Sequence, residues 1–271
     1  PESDSKTDLF WKNNDYSENG ITVKIEDLSS KININFFPKE IIQNSNLVSQ
    51  LELKEDYGEV ENNILNNGLI YTGKEVDSII SEEVYEKYFS AFGIANINIA
   101  SKIGLEKIIN EMTASSSYAP MLLEKRNNLL RNHQFLQTET EYQFLAGILY
   151  DELKSVVSLQ PAMNIHFIDE QVLEALLSYR PYNVRDWKNK KEKLLALREN
   201  NEITANELYG ILEVGNNHPL YYFLGTRTWF WKIEISDEKY IYEEIIYLEP
   251  KEKLQSIKNC YTINQKWREK N

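Results

Sequence analysis

Near the start of the chain, a run of oxygen-bearing side chains has the spacing of a calcium-binding loop. Positions one, three, five, six and twelve of such a loop are matched by Asp15, Ser17, Asn19, Gly20 and Glu26. Oxygen donors at these positions would converge on the cation, and the glycine would allow a sharp turn. Such a loop has a helix on each side, whereas residues 21–25 alternate between apolar and polar as a β-strand does. The sequence therefore favours a polar turn entering a strand; calcium binding stays open, with no ligand assigned.

The other groups that could perform acid–base or metal chemistry are dispersed. The histidines His133, His166 and His218 are far apart in sequence, and pairs of adjacent glutamates suit a solvated face. The sequence has no G-x-S-x-G elbow, no H-E-x-x-H, no P-loop and no G-x-G-x-x-G. The single cysteine, Cys260, excludes an intramolecular disulfide and a cysteine-rich zinc site. We therefore predict a protein that is not an enzyme, with no catalytic, cofactor-binding or metal-binding residue.

The composition narrows the class of protein further. The 271 residues include 42 acidic and 30 basic side chains, and a net charge of −12 disfavours sequence-independent nucleic-acid binding. Hydrophobic residues make up 42%, enough for a packed core. No apolar run approaches the roughly 18–20 residues that a membrane span needs. The sequence opens on Pro1 and not on methionine. We therefore expect that a leader or a membrane anchor could precede it in the full-length protein.

The sequence pattern predicts strands near the start of the chain, helices in the middle and strands again near the end. These elements would position any functional site. Residues 21–25 and 32–36 alternate around a turn at 27–30, which predicts a β-hairpin. Pro38 suits the first turn of a helix, and helical periodicity then extends to about residue 224. Strand patterns return at 229–235, 240–248 and 260–267.

This order predicts an α+β fold with a helical insertion. An antiparallel sheet would be formed by residues 20–37 and 228–268. The corresponding domains are an N-terminal part at 1–37, an inserted helical domain at 38–224 and C-terminal strands at 225–271.

The helical region contains an internal repeat. Asn96-Ile97-Asn98 is echoed 68 positions later by Asn164-Ile165-His166, and the same offset relates Leu105 to Leu173. A helix start of capping-box form also recurs at Thr138 and Thr204. We predict two modules, at about 96–147 and 164–215. Their structural motif residues are Asn96, Asn98, Leu105, Asn164 and Leu173, with the leucines buried and equivalent, Asn96 and Asn164 fixing turns, and His166 in the structural place of Asn98.

The Asn-Ile-Asn elements resemble those that open helix-hairpin-helix modules. Nucleic-acid-binding versions present backbone amides to phosphate through a Gly-x-Gly hairpin. The corresponding stretches here, residues 112–118 and 178–183, contain no glycine. Together with the negative net charge, this disfavours DNA binding.

The order of these motifs resembles the general secretion pathway protein K family, the large minor pseudopilin of type II secretion systems. The matching motifs are SSKININF at 29–36 with its core Lys31 to Asn35, ANINIASKIGLEKII at 95–109, the aromatic strand at 228–233 and the Trp-Arg-Glu end at 267–269. Ile99 stands where the family has threonine. The resemblance covers about residues 20–270 and implies a pilin-like domain with an inserted domain of two SAM-like, helix-hairpin-helix-like modules.

The resemblance implies a non-enzymatic subunit that caps the tip of the pseudopilus in protein export. Its partners would be other minor pseudopilins, with contact to secreted substrate as a further option. The full-length protein would be anchored at the periplasmic face of the inner membrane by an N-terminal helix that this sequence lacks. Some relatives bind calcium through acidic loops, for which no ligand can be assigned here. The alternatives are a minor pilin of a type IV pilus or competence system and, less favoured, a helix-hairpin-helix nucleic-acid-binding module.

Overall fold

A computed structural model describes residues 15–53, 56–113, 117–200, 203–250 and 257–269. The α-helices are α1 (Lys39–Gln43), α2 (Leu47–Gln50), α3 (Gly58–Asn67), α4 (Glu82–Tyr88), α5 (Lys102–Thr113), α6 (Tyr118–Arg131), α7 (Glu139–Ala146), α8 (Tyr150–Leu153), α9 (Glu170–Ser178), α10 (Trp187–Asn200), α11 (Ala205–Leu212) and α12 (Leu220–Phe223). The β-strands are β1 (Asp15–Glu18), β2 (Ile21–Asp27), β3 (Ile32–Asn33), β4 (Phe89–Ser90), β5 (Ala95–Asn96), β6 (Val157–Ser158), β7 (Met163–Asn164), β8 (Leu224–Gly225), β9 (Phe230–Ser236), β10 (Tyr240–Pro250) and β11 (Ile257–Glu269).

Strands from both ends of the described chain form one antiparallel sheet, in the order β1-β2-β9-β10-β11. β2 pairs with β9 from Thr22 opposite Ser236 to Asp27 opposite Trp231. The predicted α+β class is confirmed, as is an antiparallel sheet that combines the two ends of the sequence.

The segment with calcium-loop spacing is the β1–β2 hairpin. Its two turn residues, Asn19 and Gly20, have φ angles of 52° and 79°. Asn-Gly favours such a turn because both residues tolerate positive φ. The interpretation of this segment as a polar turn entering a strand is confirmed.

The predicted hairpin between residues 21–25 and 32–36 is wrong. β3 pairs in parallel with β4, outside the five-stranded sheet. Ile32 and Ile34 are buried, and so are the intervening Asn33 and the following Asn35. The alternation misled because both kinds of side chain are enclosed by the helical region, whereas a half-buried strand exposes its polar face to water.

Three short parallel pairings divide the helical region into successive segments. β3 pairs with β4, β5 with β6 and β7 with β8. We call residues 32–90, 95–158 and 163–225 the first, second and third helical segments. A connection of four residues precedes each segment, and another leads from β8 to β9. Because the first strand of each segment pairs with its last strand, the segment begins and ends at adjacent points.

The helical region has two hydrophobic cores. One combines the first and third segments, where the rings of Phe37 and Phe223 lie 5.5 Å apart, and it includes Leu173. The other belongs mainly to the second segment and includes Leu105. Both leucines are fully buried, on α9 and α5. Of the helices in the described ranges, none is long and apolar enough to cross a membrane.

The capping boxes predicted at Thr138 and Thr204 are both formed, at the starts of α7 and α11. A third capping box, which the sequence analysis missed, is formed by Thr72 with Glu75 before the short 3₁₀ helix Gly73–Val76. At Thr138 and Thr204 the threonine and the glutamate both satisfy backbone N–H groups that the helix start leaves without partners. At Thr72 the Glu75 carboxylate does this, by accepting the N–H groups of Tyr71 and Thr72.

Candidate functional site

An asparagine side chain holds the turn that opens each helical segment. Asn33, Asn96 and Asn164 accept the backbone N–H two residues later at 3.1, 2.8 and 3.0 Å. Their Nδ2 groups donate, in the same order, to the Gly93 carbonyl, the Gln160 carbonyl and the Thr228 hydroxyl. Local bonds of this kind stabilise turns. The motif residues Asn96 and Asn164 thus each hold a turn through the same local hydrogen bond, and Asn33 does so at a third turn.

A second asparagine connects two of these turns to the middle of their segments. Asn35 donates to the Ile70 carbonyl and accepts the Ile70 N–H, both at 2.8 Å. Asn98 makes the same pair of bonds with Leu136, at 2.9 and 2.8 Å. Both side chains are buried. An amide suits this place because it can donate and accept at once.

His166 occupies the corresponding place in the third segment. Its Nε2 accepts the Ile203 N–H at 2.8 Å, and its Nδ1 lies 3.0 Å from Asn164 Oδ1. Because an amide oxygen only accepts, Nδ1 carries the proton and the imidazole is neutral. Both ring nitrogens are thereby engaged in the core, which leaves neither for acid–base chemistry.

We expect His166→Asn to fold and His166→Ala to lose stability. Asparagine can accept the Ile203 N–H as Asn98 accepts that of Leu136, whereas alanine leaves this buried donor unsatisfied, which costs about 1–3 kcal/mol. Urea unfolding of the two variants would show the difference. Equal losses in both would mean that position 166 is not equivalent to position 98.

A buried polar network joins the sheet to the third segment. The Thr228 hydroxyl donates to Asp27 Oδ2 at 2.8 Å and accepts from Asn164 Nδ2 at 2.8 Å. The Ser30 hydroxyl contacts both the Asp27 carboxylate and the Asn164 carbonyl oxygen. These side chains come from the end of β2, from the two connections between sheet and helices, and from β7. The network therefore fixes how the helical region is attached to the sheet.

One face of the sheet carries an exposed row of apolar side chains. Successive cross-strand neighbours on the five strands are Tyr16, Val23, Ile235, Tyr242 and Trp267. We call these residues the apolar row. Tyr16, Ile235 and Trp267 are 59%, 38% and 71% exposed, and the rings of Tyr242 and Trp267 lie 4.6 Å apart. Clustered, exposed aromatic and aliphatic side chains are typical of protein-binding surfaces.

The helical region covers only one end of that face. Trp231 points to the same side two rows away and is buried, with its ring 5.7 Å from that of Phe167 in the third segment. The opposite face carries a Lys24–Glu234–Glu243–Lys266 row. The same face also carries the stacked rings of Phe230, Tyr247 and Tyr261, the last of which is 46% exposed. The apolar row differs from that group because it crosses all five strands.

No protein-family model matches this chain, and no curated protein matches it either. Among the described residues, no group of three or more histidine, cysteine, aspartate or glutamate side chains could hold a metal ion. The family resemblance therefore depends on the short motifs quoted above.

Proposed function

We propose that this protein is a non-enzymatic minor pseudopilin that acts at the tip of a type II secretion pseudopilus and assembles there with other minor pseudopilins. The motifs at 29–36, 95–109 and 228–233 support the family assignment. The sheet made from both ends of the described chain supports a pilin-like domain with a helical insertion. An N-terminal helix outside this sequence would anchor the full-length protein at the periplasmic face of the inner membrane.

The observation that carries the proposal is the placement of the helical region relative to the apolar row. The Leu28 N–H donates to the Phe230 carbonyl at 3.0 Å, so the chain leaves and re-enters the sheet at adjacent points. The helices therefore form a projection at one end of the sheet, and the apolar row remains open for a neighbouring subunit.

This arrangement supports a steric mechanism of capping. Subunits of a pilin-type filament repeat by one symmetry operation, so each head must fit between copies of itself. A projection formed by residues 32–225 would clash with the subunit above it in such a lattice. One copy at the tip avoids the clash, while the sheet still contacts the subunits below.

We also infer that the helical region contains three related modules, one more than the pair at 96–147 and 164–215. The three helical segments share the opening asparagine turn, the bond from that turn to the segment's middle and the closing parallel pair. They also share the capping box that follows, at Thr72, Thr138 and Thr204. The first module has no long helix at the position that α5 and α9 occupy in the other two modules. The repeat is therefore hard to recognise in its sequence.

The test is binding to the pilin-like proteins encoded beside this protein's gene. We expect Ile235→Lys to weaken binding about 30-fold, because a central contact of an interface contributes about 2 kcal/mol. The matched control is Phe144→Lys on α7, where the side chain is 90% exposed; it should bind as the parent does. Affinities can be measured by surface plasmon resonance after circular dichroism shows both variants folded.

Different outcomes distinguish the alternatives. Loss of binding in Phe144→Lys but not in Ile235→Lys would place the interface on the helical region and contradict the proposal. Binding to the minor pilins of a type IV pilus, with the same dependence on Ile235, would transfer the proposal to that system.

A further inference from the structure

A cleft of about 870 Å³ opens between the three helical segments. Its walls come from residues 98–102 and the C-terminal half of α6, from residues 181–190 and 212–219, and from Pro38 and Glu40. Ligand-binding sites commonly have several hundred Å³ of space. None of the apolar-row residues lines the cleft, so it is separate from the surface on which the proposed function depends.

The cleft is basic although the protein is acidic. It is lined by the cations Lys102, Arg126, Arg185 and Lys190 and by the acids Glu40 and Glu213, whereas the whole chain has a net charge of −12. Lys190 is already engaged, because its Nζ lies 2.7 Å from Glu213 and donates to a backbone carbonyl at 3.0 Å. The Glu213 carboxylate also interacts with Arg185, which helps Lys190 to lower the pKa of that carboxylate. Four cations thus face two carboxylates in the cleft, and the charge of the lining is positive.

Arg126 is the most unusual of these cations because it is buried. Its Nε donates to the Ile97 carbonyl at 2.6 Å and its Nη2 to the Ala100 carbonyl at 2.7 Å, whereas Nη1 has no hydrogen-bond partner among the described residues. Burial lowers the pKa of this guanidinium to about 10, with no described carboxylate opposing the shift. A buried charge without a counter-ion is costly.

The arginine at the corresponding place in the third segment, Arg198, has a different environment from that of Arg126. Arg198 also donates to the carbonyl of its turn, that of Ile168. Burial lowers its pKa as well, but the nearby charges of Asp169, Glu170 and Glu199 act in the opposite direction. The turn-binding arginine of the third segment thus has acidic neighbours, and that of the second has an open cleft.

The rest of the wall is suited to a ligand that is partly apolar. Ile99, Phe135 and Val184 line the cleft, and α5 begins at its edge, so that the positive end of that helix dipole faces it. His218 also lines the cleft, but its Nε2 donates to the Tyr182 carbonyl and burial lowers its pKa. It is therefore a neutral part of the wall and adds no charge near pH 7.

We propose that this cleft binds a peptide segment of another protein in which a carboxylate lies between apolar side chains. The carboxylate would pair with Arg126, with Lys102 and Arg185 beside it, and the apolar neighbours would contact Ile99, Phe135 and Val184. A nucleic acid fits less well, because its phosphates gain nothing from an apolar wall and approach a protein of net negative charge. The proposal is independent of the pseudopilin assignment.

The test uses the full chain and rhodamine-labelled pentapeptides of the form X-Glu-X-Asp-X, in which X is Leu, Ile or Phe. Fluorescence anisotropy should show binding of this pool, and the matching X-Gln-X-Asn-X pool should bind at least about tenfold more weakly because charge pairing is lost. Lys102→Glu and Arg185→Glu should each weaken binding of the acidic pool about tenfold. Lys74→Glu, an exposed control outside the cleft, should leave it unchanged.

Three outcomes would overturn the proposal. The first is equal binding, or no binding, of the acidic and amide pools at millimolar peptide. The second is an equal loss in Lys74→Glu, which would indicate general charge attraction. The third is tighter binding of a ten-residue oligothymidylate that depends on Lys102 and Arg185, which would identify the cleft as a phosphate site.

Discussion

Replacing Gly104 by alanine is expected to lower the free energy of unfolding by at least about 3 kcal/mol, the upper range for overpacking a core. Gly104 lies in α5, where the second segment meets the first. A Cβ there would stand 2.0 Å from the Asn35 carbonyl oxygen and 2.8 Å from the Phe36 ring. Backbone cannot yield as a flexible side chain can, so either the helix or the Asn35 turn must move.

The matched control is Gly210→Ala in α11, for which the opposite sign is expected. A Cβ at Gly210 meets nothing within 4 Å. Alanine should therefore stabilise the protein by about 0.5–1 kcal/mol through helix propensity alone. Urea unfolding of both variants measures the difference. If Gly104→Ala is as stable as Gly210→Ala, the close contact between α5 and the first segment does not exist.

Asn164→Ala is expected to lower the free energy of unfolding by about 3–5 kcal/mol, since each buried polar group left without a partner costs about 1–3 kcal/mol. The substitution removes the acceptor of the His166 N–H and of its ring Nδ1–H, and the donor to the Thr228 hydroxyl. Thr228 is also the link to Asp27. The loss therefore extends to the attachment of the helices to the sheet.

The control for this prediction is the equivalent residue of the second segment. Asn96→Ala removes the acceptor of the Asn98 N–H and the donor to the Gln160 carbonyl, and it leaves the sheet attachment intact. We expect a loss of about 2 kcal/mol. Thermal unfolding followed by circular dichroism can rank the two variants. A larger loss at Asn96 than at Asn164 would contradict the role assigned to the buried network.

The predictions at Gly104 and Asn164 both concern turns at which helical segments meet each other or the sheet. Side chains are important at these turns because the strand pairs there are short. The short pairs β3–β4, β5–β6 and β7–β8 contribute few backbone hydrogen bonds each. The turns that contain them must be held by side chains, and a small set of buried amides does this in all three segments. Substitutions on the exposed faces of α7 or α10 should matter far less.

Much of the local structure was determined by the sequence itself. Strand alternation after Gly225 and the helical spacing between the strands predicted the α+β class, because periodicity reports which side of an element is buried. The capping boxes at Thr138 and Thr204 were correctly predicted for a similar reason, since their hydrogen bonds join residues three positions apart. The Asn19-Gly20 turn is local as well.

Only the tertiary structure decided how these elements combine. The pairing of Ile32–Asn33 with Phe89–Ser90 joins residues far apart in sequence, and the same alternation would have suited a hairpin. The cation-lined cleft depends on three segments meeting, which places Lys102 and Arg185 in the wall of one cleft although they are more than eighty positions apart in sequence. The apolar row likewise requires the register of five strands. Long-range packing, and not local preference, selects among such arrangements, because one local pattern is compatible with several of them.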